Sequence, residues 1–261
     1  MSKVIVCYGK DIIERTTEAL KILNPSLPPK NTKIIIKPNI VEPISKDSGS
    51  VTRPEVIEGI IRFFGAQPYE TYLAEGAAVR DTMKCFKEAG YLYLEKNYAL
   101  KILDLHNLPF MKVEGKMWKE FEIAELFKEA YIISVPVLKQ HPFHVTLSLK
   151  NMMGILKPGQ TYPTKAYMHE EPDRNVWAER LLDLICHVRP HLAVIDATTG
   201  MFGSHIHGRL NTFNATIVSE DALACDIAGA RFLGYENVFY LDMALKRGLG
   251  KFPTVIEKVI S

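Results

Sequence analysis

Four short apolar runs in this sequence stop abruptly in polar residues. Residues 34–36 end in Lys37-Pro38-Asn39, 72–74 in Glu75-Gly76, 132–135 in the motif PVLKQH, and 192–195 in Asp196. Runs this short and almost wholly apolar suit strands buried on both faces of a parallel sheet. Stretches of helical period alternate with them. Residues 12–23 place apolar side chains at 12, 13, 19, 20 and 23, and the helix opening at Thr52-Arg53-Pro54-Glu55 buries Val56, Ile57, Ile60, Ile61 and Phe64. The alternation predicts an α/β fold: a mostly parallel sheet with helices on both faces. Residues alternating about Glu114-Gly115 predict one β-hairpin insertion near 111–123. Open parallel sheets bind ligands beyond the carboxyl ends of their strands, so the polar motifs are expected to converge on one rim.

Local signals add detail. Thr52 and Glu55 have the spacing of a capping box, with Pro54 in the first turn. Residues 145–156 carry two periodicities: 145, 147 and 149 alternate as in a strand, while 149, 152, 153 and 156 repeat as in a helix. A helix is the preferred reading, and it would set Thr146, Lys150 and Gly154 on one face. The polar, proline-bearing stretch 157–173 reads as a long loop of the kind that forms lids. A glycine-bearing loop is expected after Asp196, then a final strand at 214–219 and helices at 221–233 and 238–247. The whole, 1–261, reads as a single α/β domain or as two lobes divided near 157–173.

Composition enters through charge and cysteine. Thirty-two Lys and Arg against thirty Asp and Glu leave a net charge of +2, so no global field points to nucleic acid or an anionic membrane. Any basic site is therefore local. Cys7, Cys85, Cys186 and Cys225 stand far apart, at no spacing that suits zinc or an iron-sulfur cluster. The apolar run near the N-terminus is too short for a signal peptide, and no window approaches a membrane span, so a cytoplasmic protein is expected.

The residues gathered at the expected rim are mainly cationic: Lys37, Arg53, Lys139, His141, Lys150 and His169. Together with helix N-termini they favour an anion, arginine binding carboxylate or phosphate bidentately. His141, Lys139 and Asp196 are the catalytic candidates, for proton transfer and its orientation. Asn39, Thr52, Glu75, Thr146 and Asn151 complete the ligand-binding set from the same motifs. His141 and His144 make a poor metal pair because Pro142 lies between them, and His205 and His207 read as solvated. No metal or cofactor is identified. Asp226, among small apolar residues, is expected to pair with a site cation or a backbone donor.

The ordered series KPN, TRP (where the family has T-[HR]-P), EG, PVLKQH, VTLSLKNMMG, a loop histidine, VIDATTGM and EDALACDIAGARFLG resembles the uncharacterised family known as domain of unknown function 362. Its most specific portion falls on Lys139, His141, Thr146, Lys150, Asn151 and Gly154. Many members carry a ferredoxin-like segment with clustered cysteines, which implies redox surroundings; this chain has no such segment. More distantly, TRP before a helix and the ordered lysines and histidines are similar to the lactate racemase family. There, histidines and a lysine serve a nickel-pincer nucleotide and proton transfer, and no such role is carried onto these residues. Together the residues and the resemblance imply a protein that binds a small anionic substrate or cofactor, with acid-base or redox-linked chemistry. The alternative is a non-catalytic cofactor carrier or maturation factor for a redox enzyme. The expected partners are a small anionic ligand and a redox protein, with neither nucleic acid nor membrane.

Overall fold

A computed structural model describes residues 1–65 and 69–260. In chain order its strands are β1 (Ser2–Tyr8), β2 (Lys33–Pro38), β3 (Glu70–Glu75), β4 (Leu100–Asp104), β5 (Phe110–Val113), β6 (Phe121–Ala124), β7 (Tyr131–Val135), β8 (Val137–His141), β9 (His144–Thr146), β10 (Leu192–Phe202), β11 (Arg209–Ser219) and β12 (Pro253–Val259). The helices are α1 (Ile12–Leu23), α2 (Pro54–Phe64), α3 (Thr82–Glu88), α4 (Leu92–Asn97), α5 (Ser148–Asn151), α6 (Ala166–His169), α7 (Arg174–His187), α8 (Ala222–Phe232) and α9 (Phe239–Lys246).

One sheet runs in the order β12-β1-β11-β10-β7-β2-β3-β4, with β8 paired to β10 and β9 to β8. Its centre, β10-β7-β2-β3-β4, is parallel throughout, and β11 is antiparallel to both neighbours. The sheet takes strands from both sides of the 157–173 stretch. Strand alternation sends Ile34 and Ile36 into one apolar cluster with Leu20, Ile57 and Ile60, while Ile35 points into the other with Trp177 and Leu181. Helices therefore cover both faces, as the alternating pattern requires. The hairpin is β5 and β6, paired antiparallel as a separate two-stranded sheet.

The local expectations fare unevenly. Residues 145–156 use both of their periodicities in succession: strand β9 ends at Thr146, helix α5 starts at Ser148, and a 3-10 turn spans Met152–Ile155. Thr146 thus pairs with Lys139 across the β8/β9 ladder rather than lining a helix face with Lys150. The capping box does not form. Arg53 is the N-cap of α2 without a side-chain cap bond. Thr52 Oγ1 is drawn instead to buried backbone, donating to the Val135 carbonyl at 2.6 Å and accepting from the Asn39 N-H at 2.9 Å. Glu55 pairs with Lys46.

Asp196 is not at a strand end, because β10 continues to Phe202 through the expected loop and pairs with β11 past a bulge between Ala197 and Thr199. The glycine that reads as a turn signal there, Gly200, is a packing slot: a Cβ would stand 2.7 Å from the Phe213 ring. The edge strand β12 was not foreseen at all.

Candidate functional site

The carboxyl ends of the parallel strands open into a cavity of about 460 Å³. Lys37 closes β2 and is fully buried. Its Nζ donates to Glu75 Oε1 from the end of β3 at 2.7 Å, and to Asn151 Oδ1 at 3.3 Å. Glu75 also accepts the backbone N-H groups of Ile40 and Gly76. Burial lowers the Lys37 pKa, while the Glu75 charge and hydrogen bond oppose that shift. This pair is held tightly from above. A Cβ at Gly154 would lie 2.3 Å from Glu75 Oε1 and 2.7 Å from Lys37 Nζ, so only glycine lets that turn close over the pair. Asn151 pins the same wall, donating to the Lys37 carbonyl at 3.0 Å and to Ser134 Oγ at 3.1 Å. Asn39 Nδ2 donates to Asn151, and Asn39 Oδ1 is buried with no partner among the described residues.

The helix that carries Lys150 and Asn151 is positioned by Asp226. Its carboxylate accepts the N-H groups of Ser148 at 2.7 Å and Leu149 at 2.8 Å, the backbone partners expected for it. Burial raises its pKa to about 7 despite those bonds.

Among the described residues, the remaining cations of the cavity have no carboxylate in contact. Lys139, on β8, donates to the Ser50 carbonyl at 2.6 Å. Burial pushes its pKa down to about 7, and the neighbouring Lys150 adds repulsion. Lys150 forms no ion pair among the described residues, and burial alone lowers it to about 7. His141 is driven well below its ordinary value by burial and by Lys150, His205 and His169 around it, so the ring is neutral. Its Nδ1 accepts the Phe143 N-H at 3.1 Å, which leaves the proton on Nε2. His169 and His205 stand 5.5 and 4.7 Å from it, centroid to centroid. Burial first, and then the lysine charge, lowers both to about 4.

The structure thus brings together Lys37, Asn39, Glu75, Lys139 and His141 with Thr146, Lys150, Asn151 and His169 in the lining of one cavity. Thr52, Arg53 and Asp196 are not part of that lining. Arg53 is engaged next door: its backbone N-H and Nη1 bond Asp196 Oδ2 at 3.0 and 3.3 Å, and its Nη2 reaches Thr199 at 3.3 Å.

Two lining residues escaped sequence reasoning. His205 was read as solvated but faces His141, whereas His207 is exposed. Lys165, from the 157–173 stretch, is buried with Nζ 3.2 Å from His106 Nε2, and burial lowers it to about 7. A signal for this corner existed: the strand at 100–104 also ends polar, in Asp104 and His106. Among the described residues, no group of three or more His, Cys, Asp and Glu side chains is arranged to hold a metal ion. Among the described residues, no helix is long and apolar enough to cross a membrane.

The family model described as "Domain of unknown function (DUF362)" matches residues 34–231. A thylakoid-associated protein of Synechocystis sp. is 25% identical over 237 residues, covering 86% of this chain and 70% of its own length. Among solved structures, the lactate racemase apoprotein from Thermoanaerobacterium thermosaccharolyticum superposes with a TM-score of 0.50 at 13% identity. That match covers 87% of this chain but only 56% of the racemase, and it speaks to the fold alone.

Proposed function

This chain belongs to the domain of unknown function 362 family, and from that premise we propose that its cavity binds a small anionic substrate or cofactor and performs acid-base chemistry on it. The observation that carries the reading is an imbalance of charge. Lys139, Lys150 and Lys165 are buried at the cavity without a carboxylate in contact, and all three have pKa values lowered to about 7. Burying a cation without a partner is costly, and a carboxylate or phosphate entering the cavity would supply the missing charge.

The same event would prepare a proton carrier. His141 is neutral because of burial and the cations around it. An anion bound between Lys139 and Lys150 offsets that repulsion and lifts the imidazole toward the range in which it exchanges protons. His141 Nε2-H then faces the ligand as donor, with Lys139 as the second titrating group beside it. The orphan acceptor Asn39 Oδ1 would take a hydroxyl or amine hydrogen of the ligand.

The test is calorimetric titration of acetate and inorganic phosphate into the wild type, Lys150→Met and His141→Asn. The reading predicts binding by the wild type, a loss of about tenfold or more in Lys150→Met, and an unchanged fold in both variants by circular dichroism. Equal binding by wild type and Lys150→Met, or no binding of either anion, would overturn it.

A further inference from the structure

The three unpaired lysines are not in one place. Lys139 and Lys150 face the histidine corner, where Lys150 and Lys139 both act on His141. Lys165 lies at the other end, against His106, just beyond the last residue of β4. β8 follows β7 after a single proline, and β7, β2, β3 and β4 are consecutive neighbours in the sheet. Lys165 Nζ is bonded to His106 Nε2, and that ring atom lies 3.2 Å from where a Cβ on Gly76 would stand, so Lys165 sits at the end of β3. The two corners are therefore two strand spacings apart, about 10 Å at ~4.8 Å each, less the inward reach of the side chains.

The ground between them is neutral, since Lys37 and Glu75 cancel each other. Apolar groups, Ile40, Met153 and Phe143 among them, share the remaining lining with the amides of Asn39 and Asn151 and with Glu42, whose charge acts on Lys139 at the histidine corner. One corner therefore has two unpaired cations and the other has one, with an uncharged span between. A ligand with a single negative charge satisfies only one corner.

From this placement we propose that the ligand is a two-headed anion: one carboxylate or phosphate held at Lys139 and Lys150, a second at Lys165, and an uncharged body between them. His106 positions Lys165 rather than binding the ligand. Its Nδ1 lies 3.3 Å from the Arg80 carbonyl, which places the ring proton there and leaves Nε2 to accept from Lys165 Nζ. Lys165 and His169 both come from the stretch between Lys157 and Asp173, so the second head would also tie that loop down over the ligand. The inference rests on the anion-binding reading above and deepens it by naming the substrate class.

The experiment is a calorimetric ladder at pH 6.5: acetate and butyrate as one-headed probes, then succinate, glutarate and adipate, with 3-phosphonopropionate to tell a phosphoryl head from a carboxyl head. Chosen variants are Lys165→Met and Lys165→Arg. At least one two-headed probe should bind about tenfold or more tighter than butyrate, the increment of one charge-assisted contact. Lys165→Met should erase that advantage while leaving butyrate affinity within about twofold, and Lys165→Arg should keep most of it. Equal affinities along the ladder, or a Lys165→Met loss shared equally by one-headed and two-headed probes, would overturn the two-headed ligand while leaving the anion site standing. If no probe binds, both readings fall. The ladder in the wild type decides the matter even if Lys165→Met does not fold.

Discussion

Two clusters of buried cations sit side by side in this molecule, and only one of them is finished. In the first, Arg53 and Arg15 are arranged around Asp196. Asp196 takes the Arg53 N-H and guanidinium together with the Thr198 N-H and hydroxyl. Arg15 is spent on Thr216, Thr198 and the Gly9 carbonyl. Donors there have acceptors, and none of Arg15, Arg53 and Asp196 lines the cavity. In the second, Lys139, Lys150 and Lys165 border open space with no carboxylate in contact. Arginine is committed to fixed geometry in the first cluster, whereas the second uses lysine, whose charge yields to burial. The contrast separates cations paired within the fold from cations left without an ion-pair partner among the described residues.

The sharpest way to break that contrast is to treat both clusters alike. Asp196→Ala strands buried guanidinium charge and should cost about 3–5 kcal/mol, read as a large fall in the denaturant midpoint. A small loss would mean that the arginine cluster is no more structural than the lysines. Asp226→Ala comes next, because it leaves two buried N-H groups of α5 unpaired, at about 2–4 kcal/mol together. It should also weaken anion binding indirectly by releasing Lys150 and Asn151, and Asp226→Asn should restore part of both losses.

Lys150→Met, by contrast, should leave stability within about 1 kcal/mol or raise it, since it removes an unpaired buried charge. The affinity for acetate should nevertheless fall about tenfold or more. A stability loss as large as that of Asp196→Ala would erase the distinction between the clusters.

The pH dependence follows from the same lysines. Their folded pKa values of about 7 lie below the ordinary value of ~10.4, so between those limits the unfolded chain binds more protons. Stability without ligand should therefore rise with pH across roughly 7 to 10, while acetate affinity falls over the same window. The smallest effect belongs to His207→Ala, which should change stability by less than about 0.5 kcal/mol and affinity not at all.

How far the sequence foretold this depends on what each residue answers to. The rim was legible because it follows from strand ends, and strand ends are local: Lys37, Glu75 and Lys139 fall where apolar runs stop. The hairpin at Glu114 was legible for the same reason. What failed was decided by distant partners. Thr52 looked like a cap, but the Val135 carbonyl claims its hydroxyl. Gly200 looked like a turn, yet it accommodates the Phe213 ring across the β10/β11 ladder. Lys165 and His205 belong to the site only through loops whose course no periodicity records. Asp196 looked like a strand end at the rim, yet β10 runs on to Phe202 and the carboxylate is held by Arg53, a pairing across 143 residues that no local pattern records.

The account stands or falls on whether the unpaired lysines take up an anion and hold their protons when they do. Succinate stays ionised between pH 6.5 and pH 9, so its titration into the wild type at both values, in two buffers of different ionisation enthalpy, reports affinity and proton uptake together. The account predicts tighter binding at pH 6.5 and net uptake of protons by the complex, larger at pH 9, where the free lysines are mostly neutral. Equal affinity at both values with no proton uptake, or no binding at either, would contradict it.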